Sequence, residues 1–218
     1  MGIKKNILLV STLKAEISNI IDNYSDLAII ISNDINEIKS FCESTLENKV
    51  LISYNTNLII AKEDLEKCEH CFNIHAASPR FPGRDPHHWA KYTRAKVYGA
   101  TLHYMTEKVD NGPIVKVNRF EIEEQDRPGD ILKKANKEAL QLLDYIFTAL
   151  SNSKEIKIDH QEQWDSKKFK RSDLIKICDL TDLTDTNEFD LRVQSFYSDK
   201  YPNLYIKKFD QKFYLKLS

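Results

Sequence analysis

As far as His75, continuous apolar runs alternate with stretches whose apolar positions recur every three or four residues. Asn6–Ser11 (NILLVS) is apolar nearly throughout, the pattern of a strand buried on both faces. Leu13–Tyr24 carries Ala15, Ile17, Ile20 and Ile21 at helical spacing, and Leu27–Ser32 is a second β-branched run. Ile35–Glu47 reads as a helix with Asp34 as its N-cap. Val50–Tyr54 is a third strand, Lys62–Lys67 a short helix and Cys71–His75 (CFNIH) a fourth strand. Strands separated by helices of this length build βαβ units, so the pattern predicts an α/β fold: a Rossmann-like, mainly parallel sheet flanked by helices. Ligands of such sheets bind beyond the C-terminal strand ends, where His75 stands. The first turn, Ser11-Thr12-Leu13, has no glycine and the whole chain only five, which argues against a G-x-G-x-x-G dinucleotide site.

The pattern changes after Gly99. Ala100–Met105 and Pro113–Ile122 are strand-like runs joined through Thr106–Gly112, with a turn signal at Asn111-Gly112. Pro128-Gly129-Asp130 opens a helix to about Leu150, with Ile131, Leu132, Ala135, Ala139, Leu142, Leu143 and Ile146 on its apolar face. Ser151–Ser153 reads as a linker. A helix over Asn187–Tyr197 follows, then strands at Tyr205-Ile206 and Phe213–Leu217 about an Asp210-Gln211 turn. The expected division is an α/β domain over residues 1–150 and a small C-terminal α+β module over 151–218. Phe213, Leu215 and Leu217 would offer the module a dimerisation surface, making the chain a homodimer.

Composition narrows the function classes. The 32 basic and 33 acidic residues give a net charge of −1, which argues against a nucleic-acid binder. Apolar runs such as Ala28–Ile31 are too short to span a bilayer, and Met1–Lys5 shows no leader pattern. The expectation is a cytoplasmic protein without membrane contact. Cys68 and Cys71 form a C-x-x-C, but Cys42 and Cys178 are isolated in sequence and complete no second ligand pair, so no metal is expected.

Candidate chemistry gathers at strand ends. Asn73 and His75 are two apart on one strand and share a face. An amide and an imidazole so placed can both donate to one developing oxyanion. Asp110 comes near His75 if the strand before it pairs beside Cys71–His75, and a carboxylate there can orient the ring or handle a proton. No serine or cysteine nucleophile stands in this stretch, so the arrangement suits direct attack by a substrate amine on an acyl donor. A structural histidine, a turn-capping Asn73 and plain turn chemistry at Asp110-Asn111-Gly112 explain the same residues singly.

Taken together, Asn73-Ile74-His75, Ser78, Pro82-Gly83, Trp89-Ala90, Gly99-Ala100-Thr101-Leu102-His103 and Asp110-Asn111-Gly112-Pro113-Ile114 resemble the formyltransferase family that uses N10-formyltetrahydrofolate. The resemblance implies Asn73, His75 and Asp110 as catalytic residues. In it, Asn73 and protonated His75 hold the oxyanion, while Asp110 orients His75 and helps remove the amine proton. It implies folate held by loop backbone at Asn57, Leu58 and Ile59 and at Met105, Thr106 and Val109, with no metal.

Within the family, a short tail without basic surplus argues against a methionyl-tRNA substrate. The missing glycine-rich turn after Val10 argues against glycinamide ribonucleotide. The stretch after His75 is also one residue shorter than the common pattern. Arg84-Asp85-Pro86-His87-His88-Trp89 and the tail residues Trp164, Arg171, Asp173-Leu174, Leu191-Arg192-Val193 and Tyr201-Pro202 resemble the sugar N-formyltransferases. That implies a nucleotide-linked amino sugar as acceptor, destined for surface polysaccharide such as O-antigen. Arg84, His87, His88, Trp89, Trp164 and Arg171 become candidate substrate contacts. For His87 and His88 the plain reading is a pair of solvated loop histidines, and for Trp164 and Arg171 packing and surface roles stand beside base stacking and a phosphate contact. His103 either faces the site or completes a local hydrogen bond. A non-catalytic folate or nucleotide-sugar sensor is the rival from another class.

Overall fold

The computed structural model describes residues 4–198 and 201–217; Met1, Gly2 and Ile3, part of the segment read above for a leader, lie outside them. Six strands form one sheet in the order β2-β1-β3-β4-β5-β6. These are β1 (Asn6–Val10), β2 (Ala28–Ser32), β3 (Lys49–Tyr54), β4 (His70–His75), β5 (Val97–Tyr104) and β6 (Ile114–Glu121). The first four run parallel; β5 and β6 are antiparallel additions at one edge. The helices are α1 (Lys14–Ile21), α2 (Ile35–Glu43), α3 (Lys62–Leu65), α4 (Pro86–Tyr92), α5 (Pro128–Ser151), α6 (Arg171–Ile177) and α7 (Thr186–Phe196). A separate hairpin pairs β7 (Tyr205–Lys208) with β8 (Gln211–Tyr214). The expected α/β class holds.

The continuous apolar runs are explained by burial on both faces. Ile7, Leu9, Val50, Ile52 and Phe72 pack toward α5, which contributes Ala139, Leu142, Leu143, Ile146 and Phe147. The alternate residues Leu8, Val10, Leu51 and Cys71 pack with Ile38, Phe41 and Cys42 of α2. Each such side chain contributes about 1.5–3 kcal/mol on burial. Asp34 caps α2 as expected, accepting from the Asn36 amide. Pro128 sits in the first turn of α5, where its missing N–H costs nothing.

A third cluster joins the two halves of the sequence. Phe81, Trp89, Tyr98, Ile131 and Ala135 share it with Phe169, Leu174, Phe196 and Leu204. Two of its helices, α4 and α6, have no sequence signal, because seven residues are too few to establish a period. Cys42 is not isolated: its sulfur lies 3.8 Å from that of Cys68, because α2 and the end of α3 meet on one face of the sheet.

Candidate active site

Strand register brings the polar residues together. In the β4–β5 ladder Asn73 lies opposite His103, and His75 opposite Thr101. Asn73, His75 and His103 therefore share one sheet face, at the C-terminal end of β4. The chain leaving β5 returns so that Asp110, buried and in the left-handed region at φ 45°, faces both imidazoles. Asp110 Oδ1 is 3.6 Å from His75 Nδ1 and 3.8 Å from His103 Nε2. Its other oxygen accepts from the Gly83 amide at 2.9 Å. That approach needs the glycine: Gly83 has φ 102°, and a Cβ there would strike the Phe169 carbonyl.

The ring partners assign roles. His75 Nε2–H donates to the Phe81 carbonyl at 3.0 Å, so Nδ1 is the nitrogen that faces Asp110. His103 Nδ1–H donates to the Tyr104 carbonyl at 2.8 Å, which leaves its Nε2 bare to accept from the Asn73 amide at 3.0 Å. Burial lowers the His103 pKa to about 4, with the Asp110 charge acting the other way, so the ring is neutral. The Asn73 amide thus spends one N–H on His103 and keeps a second for a ligand oxygen.

These groups stand at a cleft of ≈ 430 Å³, within the range that encloses a small ligand. Asn57, Leu58, Ile59, Met105, Thr106 and Val109 all line it. Ile59 is 69% exposed and Val109 49%, apolar surface at the cleft that a flat ring would cover. Arg84 and His87 line it too, as do Tyr54 and Asn136, which sequence reading passed over. Tyr54 donates to Asn136 at 3.3 Å. Asn136 left a signal, as a polar residue bordering the apolar face of α5 between Leu132 and Ala139.

Four candidates are not cleft residues. Trp89 is core, stacked on Phe169 at 4.5 Å between centroids. His88 turns away to pair through Nδ1 with the Ser195 carbonyl and stack on Phe196. Trp164 lies outside the cleft lining: its indole N–H donates to the Gly112 carbonyl at 2.8 Å, and its ring packs edge-to-face with His103. Arg171 is exposed in the first turn of α6, outside the cleft lining. Nor are His87 and His88 solvated loop residues. Both belong to α4, and burial lowers both pKa values, that of His87 to about 3.

Comparison with known proteins bears on this arrangement. The formyltetrahydrofolate deformylase of Synechocystis sp. is 29% identical over 56% of this chain and 49% of its own length. The chain spans half or less of the length of the curated relatives it matches. A sugar N-formyltransferase from Shewanella sp FDAARGOS_354 superposes with a TM-score of 0.78 at 19% identity, covering 98% of this chain and 97% of that one. An N-formyltransferase from Helicobacter canadensis, solved with folinic acid and dTDP-3-aminofucose, gives 0.69 at 17% identity over 96% of this chain and 86% of that one. At such identities these likenesses show a shared fold. The family model described as formyl transferase matches residues 37–145, half of the sequence. That half holds Asn73, His75, Gly83, His103 and Asp110, and the chain belongs to the formyl transferase family.

Proposed function

We propose that the chain transfers a formyl group from N10-formyltetrahydrofolate to the amine of a nucleotide-linked amino sugar. The observation that carries this reading is the convergence of Asn73, His75 and Asp110 beside a cleft bounded by two apolar-lined loops. The loops at residues 57–59 and 105–109 suit a pterin: Leu58, Ile59, Met105 and Val109 supply apolar contact, and loop backbone supplies donors and acceptors.

In this reading the amine nitrogen attacks the formyl carbon. The spare Asn73 N–H and the His75 imidazole hold the resulting oxyanion. Asp110 orients His75 and accepts the proton that the amine loses. The carbon–N10 bond then breaks, N10 takes up a proton, and formamide and tetrahydrofolate leave. His75 must exchange the Phe81 carbonyl for substrate to do this through Nε2.

The sugar acceptor is favoured because the sugar N-formyltransferase fold is matched along nearly the whole of both chains. The net charge of −1 gives no basic surplus of the kind that tRNA binding draws on. We propose further that residues 1–150 carry the chemistry while 151–218 complete the substrate site and the dimer. We also place the reaction in the cytoplasm, in the supply of a surface polysaccharide. Among the described residues no helix is long and apolar enough to cross a membrane.

The test is a panel of nucleotide-linked amino sugars incubated with the formyl donor and read by mass spectrometry for one added formyl group. Formate released equally with and without every acceptor would mean hydrolysis instead. Salt-sensitive formylation of methionyl-tRNA alone would move the substrate to nucleic acid. Unaltered donor throughout would leave a sensor.

A further inference from the structure

After α5 the chain turns back and runs across the loops that hold Asp110. The Asp159 amide donates to the Ile114 carbonyl at 2.8 Å, and the Asp165 amide to Pro79 at 3.0 Å. Phe169 donates to Pro82 and accepts from the Arg84 amide, each at 3.0 Å, clamping the segment whose Gly83 amide holds Asp110. Lys168 reaches the Val109 carbonyl. Residues 159–169 thus form a strap bound to both sides of the catalytic carboxylate.

Trp164 is the strap residue whose ring packs against both His103 and His75. Its indole N–H donates to Gly112, two residues past Asp110, at 2.8 Å. The turn there is tightly set: Asp110 has φ 45°, and a Cβ on Gly112 would strike the Tyr104 carbonyl. The indole lies edge-on to His103, with centroids 4.9 Å apart and planes at 86°, and 6.0 Å from the His75 ring. An edge-to-face pair at this distance restrains both rings. One side chain therefore touches the Asp110 turn, the ring that orients Asn73, and the flank of His75.

We propose that Trp164 is a positioning residue for formyl transfer, holding Asp110 through the Gly112 carbonyl and Asn73 through His103. This rests on the formyl-transfer reading above. It makes catalysis depend on a residue beyond the 1–150 unit. Merely structural packing would lower the stability of a Trp164 variant and leave turnover per folded molecule unchanged. Positioning lowers kcat while both KM values stay put, because Trp164 does not line the cleft.

The experiment compares wild type, Trp164→Phe and Trp164→Ala. It measures kcat, KM for donor and for acceptor, and the solvent exchange of the His75 and His103 ring N–H protons by nuclear magnetic resonance. Trp164→Phe keeps an aromatic ring and loses the N–H. It should lower kcat about tenfold with both KM values within about twofold, and speed the solvent exchange of the His75 and His103 ring N–H protons. Trp164→Ala should lower kcat about 10²-fold; if it does not fold, the phenylalanine variant carries the test. Wild-type kcat in Trp164→Phe overturns the proposal, whatever the ring N–H exchange or the melting temperature. If the wild type itself formylates no acceptor, the substrate reading fails separately. The exchange of the ring N–H protons then decides alone: faster than wild type in Trp164→Phe, it upholds positioning of His75 and His103; unchanged, it rejects it.

Discussion

His103 Nε2 lies 3.0 Å from the side-chain nitrogen of Asn73, directly across the β4–β5 ladder. Because the Tyr104 carbonyl takes the Nδ1 proton, Nε2 can only accept, and the Asn73 amide is fixed with its NH₂ toward His103. A reversed amide would set its carbonyl oxygen against a bare nitrogen and lose the oxyanion donor. His103→Leu should therefore lower kcat by roughly 10- to 100-fold at unchanged folate affinity. Initial rates beside donor titrations check this. Turnover within twofold of wild type would remove the orienting role.

Asp110 and His75 share one task, because Asp110 faces the His75 nitrogen not tied to Phe81. Asp110→Asn keeps the Gly83 contact through the amide oxygen but carries no charge. Either Asp110→Asn or His75→Ala should lower kcat by about 10² or more with the fold intact. The double variant should be little worse than the worse single, since groups that act as a unit are non-additive. Losses that multiply in the double variant would show that the two act independently.

Two buried histidines set a pH window for stability. Their ordinary pKa is 6.5; burial takes His103 to about 4 and His87 to about 3. Below 6.5 the unfolded chain binds protons that the folded chain refuses, so stability rises with pH. It is fully present above about 6.5 and erodes as pH falls through 4 toward 3, where His87 too gains its proton. Asp179, held at about 2 by the Lys207 ammonium, adds its own loss only at lower pH. Thermal melts should show a clear drop between about pH 7 and pH 5, lessened in His87→Leu, which keeps the volume and cannot titrate. A flat melting temperature over that range would mean the rings are charged in the folded state.

Legibility followed the range of each interaction. The double-sided burial of β1 and β3 is written in unbroken apolar runs, and the shared face of Asn73 and His75 in a two-residue spacing. The partnership of Asn73 with His103 needs only the ladder register, which the placing of β5 beside β4 nearly supplies. Trp164 and Gly112 are 52 residues apart, so no local pattern links them. Likewise α4 forms on tertiary packing, with Trp89 against Phe169, and begins at Asp85 in the left-handed region, so its histidines read as loop. The proximity of Cys42 to Cys68 arises because α2 and the end of α3 cover the same sheet face, which neither segment encodes alone.

The terminal hairpin offers a surface for the expected dimer: Phe213 and Leu217 are about half exposed, while Leu215, expected beside them, packs against the cluster that holds Trp89 and Phe196. Ile206 and Phe213 are cross-strand partners and so share one face, the opposite face to Tyr205, which packs inward near Cys178. Both are about half exposed, and Phe209 at the turn is 84% exposed. Two strands alone are marginal in water, and clustered apolar exposure marks an interaction surface. A second copy pairing there would cover these rings; a stable dimer needs about 1,000 Å² or more of buried surface. Sedimentation should give twice the chain mass for wild type. Ile206→Asp with Phe213→Asp should give a folded monomer, since neither side chain belongs to a buried core cluster. A wild-type monomer at micromolar concentration would mean that the hairpin's exposed rings serve another contact, with the nucleotide end of the acceptor as the next partner to test against Phe209→Ser.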